Sequence, residues 1–270
     1  MGAGGDIGGQ KVIFLFARQR SGTGALAGLL NKHPDCAYLG EVFGDAYAGH
    51  PAYYFNWLEK AVADEPSLIQ PERARERFEA YLAHVSVCVP KPRVILDVKL
   101  SQLHHFEGYD KGLETKPALL DFVKDRGGTV LFLRRRNLLR AHLSRLTAEK
   151  SGVWHTTGER PALPKLAVDV QKLKKSLEWR QRVENRLDGF EKLFPGAISL
   201  DYETLFDAAG EALSTEAAIS LEGALRLKGF ENLKTDQTKL RPGSLDSFVE
   251  NIDEVRAVLK GTSAEWMLEG

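Results

Sequence analysis

Arg18-Gln19-Arg20-Ser21-Gly22-Thr23-Gly24 puts two guanidinium groups, two hydroxyls and two glycines into seven consecutive residues, directly after the apolar run Val12 to Ala17. The run has the β-branched and aromatic make-up of a buried strand, and Leu26, Leu29 and Leu30 follow at helical spacing. A tight turn between strand and helix exposes backbone N–H groups, and the helix start adds the positive end of its dipole. The chemistry this suits is anion binding. The bland alternative is an ordinary βα turn, where Gly and Ser are common.

The turn is not a Walker A loop, because no Gly-Lys-Ser or Gly-Lys-Thr occurs in the chain. Nor is it Gly-x-Gly-x-x-Gly, since Gly22, Gly24 and Gly28 have the wrong spacing. A nucleotide held here is held without the P-loop lysine and its magnesium.

A second cationic cluster, Arg134-Arg135-Arg136, follows the strand-like run Thr129 to Leu133 and opens a helix that reaches about Lys150. Arginines at a helix N-terminus oppose the macrodipole, so an anion is expected there, against the alternative of a solvated basic helix start. At least one guanidinium is expected to face the crevice. Ser144 lies eight residues beyond Arg136, about 12 Å along a helix, so Arg136 and Ser144 are expected to grip one phosphate between them.

The elements that must position these residues alternate along the chain. Strands are expected at 12–17, 36–39, 93–100, 129–133 and 197–200. Helices are expected at about 53–65, 70–86, 116–125, 137–150 and 165–193, with two or three more near the C-terminus, the last at 244–260. Alternation of this kind implies βαβ units and a mostly parallel sheet. Ligands in such sheets sit beyond the strand C-termini, which gathers Arg18–Gly24, Gly40–Phe43, Lys99–His105 and Arg134–Asn137 around one crevice.

The length fits one large α/β domain or two small ones; with no clear interdomain linker, a single domain over residues 11–270 is expected, with residues 1–10 as a flexible tail. Of 270 residues 43% are hydrophobic, enough for a large core, and 37 Lys plus Arg balance 37 Asp plus Glu. That balance gives no global basic field, so nucleic acid is not an expected partner. Cys36 and Cys88 are too few and too isolated for a disulfide framework or a zinc site, and no metal is expected. Neither a signal peptide nor a membrane-spanning run is present, so a cytoplasmic protein without a transmembrane segment is expected.

With both anion motifs in order, the chain resembles the sulfotransferases that use 3′-phosphoadenosine-5′-phosphosulfate (PAPS). Arg20-Ser-Gly-Thr23 matches the 5′-phosphosulfate loop of that family, and Arg136 to Ser144 its 3′-phosphate motif. The bacterial branch that sulfates glycolipids, trehalose and Nod factors is echoed by Gly40-Glu-Val-Phe43, Asp97-Val-Lys-Leu100, Arg145 to His155, Tyr202-Glu-Thr-Leu205 and Leu245 to Val255. The resemblance spans about residues 11–262. One departure is Gly24, where the family usually has a second Ser or Thr.

The resemblance implies an α/β fold, a P-loop-like three-layer α/β/α sandwich with a mostly parallel central sheet of four to five strands and additional helices. It implies PAPS as donor, adenosine 3′,5′-bisphosphate as product, and a hydroxyl-bearing carbohydrate, glycolipid or other metabolite as acceptor; an oligomer is possible. Donor contacts fall on Arg18, Gln19, Arg20, Ser21, Gly22, Thr23, Gly24, Arg136, Ser144 and Arg241. Arg20 would also stabilise the leaving phosphate. Glu41 is the first candidate for the general base, with His105 and His104 behind it, and Lys99 would contact the sulfonate or the acceptor. Segments 44–90 and 151–190 would shape the acceptor pocket, with Tyr47, Tyr53, Tyr54, Phe55, Trp57 and Trp154 either lining it or forming core. Arg241 as a plain surface arginine, and His142 and His155 as scaffold, remain open. Two other functions stay in play: a non-catalytic nucleotide- or glycan-binding module, and a nucleotide-dependent phosphotransferase, which the missing Walker lysine disfavours.

Overall fold

Apolar runs become five strands of one parallel sheet: β2 (Gln10–Ala17), β3 (Cys36–Glu41), β4 (Arg93–Lys99), β5 (Thr129–Arg134) and β6 (Ile198–Asp201), in the order β3-β4-β2-β5-β6. The computed structural model describes the chain apart from residues 1–5, 8–9, 45–49, 109–114, 155, 157–160, 239 and 270. The central strand β2 is buried on both faces, which is why its sequence is continuously apolar rather than alternating. Val12, Phe14 and Phe16 point into one core with helices α3 (Ala74–Cys88), α4 (Ala118–Arg126) and the second half of α6 (Val170–Glu191). Ile13, Leu15 and Ala17 point the other way, against α1 (Thr23–Leu30) and α8 (Thr215–Leu225). The result is the expected three-layer α/β/α arrangement. A third apolar cluster joins α5 (Leu138–Ser151), the start of α6 and α9 (Ile252–Leu259) beside the sheet.

From β2 the chain moves to β3 and β4 on one side, and later to β5 and β6 on the other. Helices α1 and α5 therefore diverge from the ends of two adjacent strands, and a crevice opens between them. The strand ends are tied down from behind. Arg18, 2% exposed, pairs with Glu184 at 2.9 Å, and the fully buried Arg134 pairs with Asp188 and Glu191. Those three carboxylates recur at i, i+4 and i+7 along α6 and so share one helix face.

Three sequence expectations need correction. Asp6–Ile7 forms a short strand, β1, antiparallel to the start of β2, and Gln10 anchors to the carbonyls of Val89 and Lys91 at 2.6 and 2.7 Å. The expected tail therefore includes sheet; its residues 1–5 and 8–9 lie outside the described residues. Helix α6 begins at Val170 rather than near 165, because the Asp169 carboxylate caps the N–H groups of Gln171 and Lys172. Ahead of that cap, Leu166 is extended and bridges Val249. The expected helix 244–260 is a 3₁₀ turn at Leu245–Ser247 followed by α9. Among the described residues no helix is long and apolar enough to cross a membrane.

Candidate functional site

The first wall of the crevice is the turn after β2. Arg20 and Gly22 adopt positive φ, 66° and 92°, which folds the backbone sharply enough to start α1 at Thr23. A Cβ at Gly22 would lie 2.2 Å from Cδ2 of Tyr202, so only glycine fits beneath that ring. The Gly22 carbonyl accepts from the N–H groups of Ala25 and Leu26. No side chain caps α1 and no acidic residue occupies its first turn. The earliest N–H groups of the helix are thus left to a ligand or water.

The second wall is one face of α5, with Arg140, Leu143, Ser144 and Thr147 at i, i+3, i+4 and i+7. The two walls meet where the Arg20 guanidinium donates to Ser144 Oγ from Nε (3.1 Å) and Nη2 (2.8 Å), and to the Trp154 carbonyl from Nη1 (3.1 Å). Arg135 lies against the Tyr202 ring, 4.7 Å from its centroid, and donates to the Arg20 carbonyl at 3.3 Å. Arg241 reaches in from the C-terminal segment and is held by the carbonyls of Leu163 and Pro164.

Arg136 is not on the crevice wall. Its guanidinium pairs with Asp201 at 2.8 Å and is 43% exposed, so the expected grip of Arg136 and Ser144 on one phosphate does not form. The reason lies in how the protein neutralises its own arginine run. Arg134 has the carboxylates of α6, Arg136 has Asp201, and the helix start is met by Glu203, which accepts from the N–H groups of Arg136 and Asn137 at 3.1 and 2.9 Å. Arg135 is left over. Among the described residues no carboxylate lies within salt-bridge distance of it, and its Nε is buried without a hydrogen-bond partner. Burial holds the guanidinium groups of Arg20, Arg135, Arg140 and Arg241 below the ordinary arginine value, and the charge of Arg135 adds to this for Arg20 and Arg140. An anion in the crevice would relieve that repulsion.

The mouth of the crevice is built by β3 and β4. A bulge shifts their pairing between Tyr38 and Glu41, with Gly40 at φ 71°, and turns Glu41 onto the crevice wall. Glu41 Oε2 accepts from Gln102 Nε2 at 2.9 Å, and Oε1 lies 3.8 Å from Lys99 Nζ. It is the sole carboxylate among the described residues lining a crevice of about 240 Å³, roomy enough for a polyatomic ligand rather than a single ion.

Of the residues singled out from sequence, Gln19, Arg20, Gly22, Thr23, Gly24, Glu41, Ser144 and Arg241 line this crevice together. Arg18, Ser21, Lys99, His105 and Arg136 do not. Arg18 and Ser21 are buried beneath the turn, and Lys99 is buried at the end of β4. His105 packs against Phe43 and Phe55, and burial followed by the neighbouring His104 lowers its pKa. Trp154 is on the wall and half-exposed, whereas Tyr53 and Tyr54 are core and Trp57 packs against that core. Tyr47 and His155 lie outside the described residues. Sequence reasoning missed Arg140, Thr147, Gln237, Thr238 and Phe248. The spacing of Arg140, Ser144 and Thr147 along α5 was a usable signal; the contribution of Gln237, Thr238 and Phe248 depends on long-range packing and had none.

No family model matches the chain. No curated protein matches it either. Among solved structures it is similar to a sulfotransferase from Alicyclobacillus acidocaldarius, with a TM-score of 0.44 and 13% sequence identity over 95% of this chain and 98% of that one.

Proposed function

We propose that this chain is a sulfotransferase that takes PAPS as donor and a hydroxyl-bearing small molecule, carbohydrate or lipid as acceptor. One observation carries the reading: two cationic walls face each other across a single crevice, and their guanidinium groups at Arg20, Arg135 and Arg241 have neutral hydroxyl and carbonyl partners. A nucleotide with phosphates on both its 5′ and 3′ sides would bring an anion to each group of guanidinium charge. Arg20, Thr23 and the open N–H groups of α1 suit the 5′ side. Arg135, Arg140, Arg241 and Ser144 suit the 3′ side and would distinguish this donor from ATP.

The donor supplies the sulfuryl group, which passes to the acceptor hydroxyl and leaves adenosine 3′,5′-bisphosphate. The chain's own work is to hold the reactants in line and to stabilise negative charge on the leaving phosphate. Arg20 and the α1 N-terminus do the second. Glu41, the carboxylate at the crevice mouth, takes the acceptor's proton. Gln102 donates to that carboxylate at 2.9 Å and Lys99 Nζ stands 3.8 Å from it, which keeps it in place. The test is transfer of labelled sulfate from PAPS to a panel of hydroxyl acceptors: labelled product supports the reading, and its absence across sugars, glycolipids and small alcohols, with PAPS bound, counts against turnover.

A further inference from the structure

We infer that Lys99 and Asp97 act as a positioning pair that locks the Thr23 hydroxyl as a hydrogen-bond donor into the crevice, with no direct contact between Lys99 and the transferring group. The inference rests on the donor reading above and assigns a role within that site.

Asp97 and Lys99 are two apart on β4, so both project from one face of the strand. It is the face that carries Ile95 into the core beneath α1, and it brings Lys99 up against the start of that helix. Both side chains are buried, Lys99 at 1% and Asp97 at 2% exposed. An ammonium has three protons to place and no lone pair. Lys99 Nζ gives them to Asp97, at 2.8 and 2.5 Å from the two carboxylate oxygens, and to Thr23 Oγ1 at 2.8 Å. Glu41 Oε1 stands further off at 3.8 Å. Asp97 is itself fixed by the Tyr38 hydroxyl at 2.6 Å.

Thr23 lines the crevice, whereas Lys99 does not. Because Thr23 Oγ1 already accepts from Lys99, its own proton must point elsewhere, and it has no protein acceptor among the described residues. The hydroxyl therefore faces the crevice as a donor, oriented before an anion arrives.

Calorimetric titration with adenosine 3′,5′-bisphosphate and with adenosine 3′-monophosphate tests this. Thr23→Val is expected to weaken the bisphosphate by about tenfold or more while leaving the 3′-monophosphate within about twofold, because only the former carries the 5′-phosphate that the hydroxyl serves. Thr23→Ser should restore wild-type affinity. Lys99→Met should show the same loss, and the double variant should be no worse than either single one. Lys99→Met leaves Asp97 buried without its cation; if that variant does not fold, the Val and Ser pair at Thr23 decides. Additive losses, an equal fall for both ligands, or wild-type bisphosphate binding by Thr23→Val would each overturn the inference alone. No bisphosphate binding by the unmodified protein would overturn the donor reading and this inference with it.

Discussion

Gly22→Ala is the substitution whose consequence the geometry defines most sharply. Two costs combine. At φ 92° an L-residue is strained, by about 1–2 kcal/mol. The new Cβ would also stand 2.2 Å from Tyr202 Cδ2 and 2.5 Å from Cε2, far inside van der Waals contact, so the ring must retreat by more than 1 Å. Overpacking of that kind costs about 1–3 kcal/mol, for a sum of about 2–5 kcal/mol. Gly229→Ala supplies the reference, since Gly229 has φ 98° and nothing within 4 Å of its Cβ position, so it isolates the backbone term. Denaturant unfolding of both variants gives the difference due to the ring. The Tyr202 ring also supports Arg135, so Gly22→Ala is expected to lose anion binding, and Tyr202→Ala added to it should recover the overpacking part of the stability but not the strain part. Equal destabilisation by Gly22→Ala and Gly229→Ala would refute the close contact between the turn and Tyr202.

Three further outcomes are expected. Arg135→Ala should weaken bisphosphate binding by the worth of a charge-assisted hydrogen bond, about 1.5–3 kcal/mol by calorimetry, while Arg136→Ala, which removes a surface pair with Asp201, should change it little. Glu41→Gln should retain bisphosphate affinity and cut the rate of label transfer by about 10² or more; normal turnover would remove Glu41 as the base. His142 is buried with its Nδ1 2.9 Å from Ser176 Oγ, and burial, then Arg180 and Arg145, push its pKa down to about 4. The unfolded chain protonates this group near pH 6.5. Stability is therefore full above that pH and falls as pH drops toward 4, by about 3 kcal/mol across the window. Denaturant titrations over that range should show the slope in the unmodified protein and lose it in His142→Gln.

Much of this architecture was legible because it depends on local pattern. The continuous apolar run of β2 announces a strand buried on both faces, and the turn after it carries residue types suited to an anion wherever the rest of the chain lies. What escaped depends on phase and on distant partners. Leu133 looks like the last residue of β5, but Arg134 continues the strand into the core, where the carboxylates of α6 meet it. That one-residue extension moves the crevice-facing role from Arg136 to Arg135. The bulge at Gly40 that aims Glu41 is likewise invisible in composition, because it exists only in the pairing of β3 with β4. Lys99 could be placed at a strand end from sequence, yet its burial follows from Asp97 and Thr23, whose contact requires α1 to lie across that face of the sheet.

Calorimetric titration of the unmodified protein with adenosine 3′,5′-bisphosphate, AMP and ATP, all without magnesium, tests the proposed role of the paired cationic walls most directly. Binding of the bisphosphate at least about tenfold tighter than AMP is expected, since the second phosphate gains a charge-assisted contact that AMP cannot make. Preference for ATP, equal affinity for AMP, or no binding of the bisphosphate would contradict a site built for phosphates on both sides of the nucleoside.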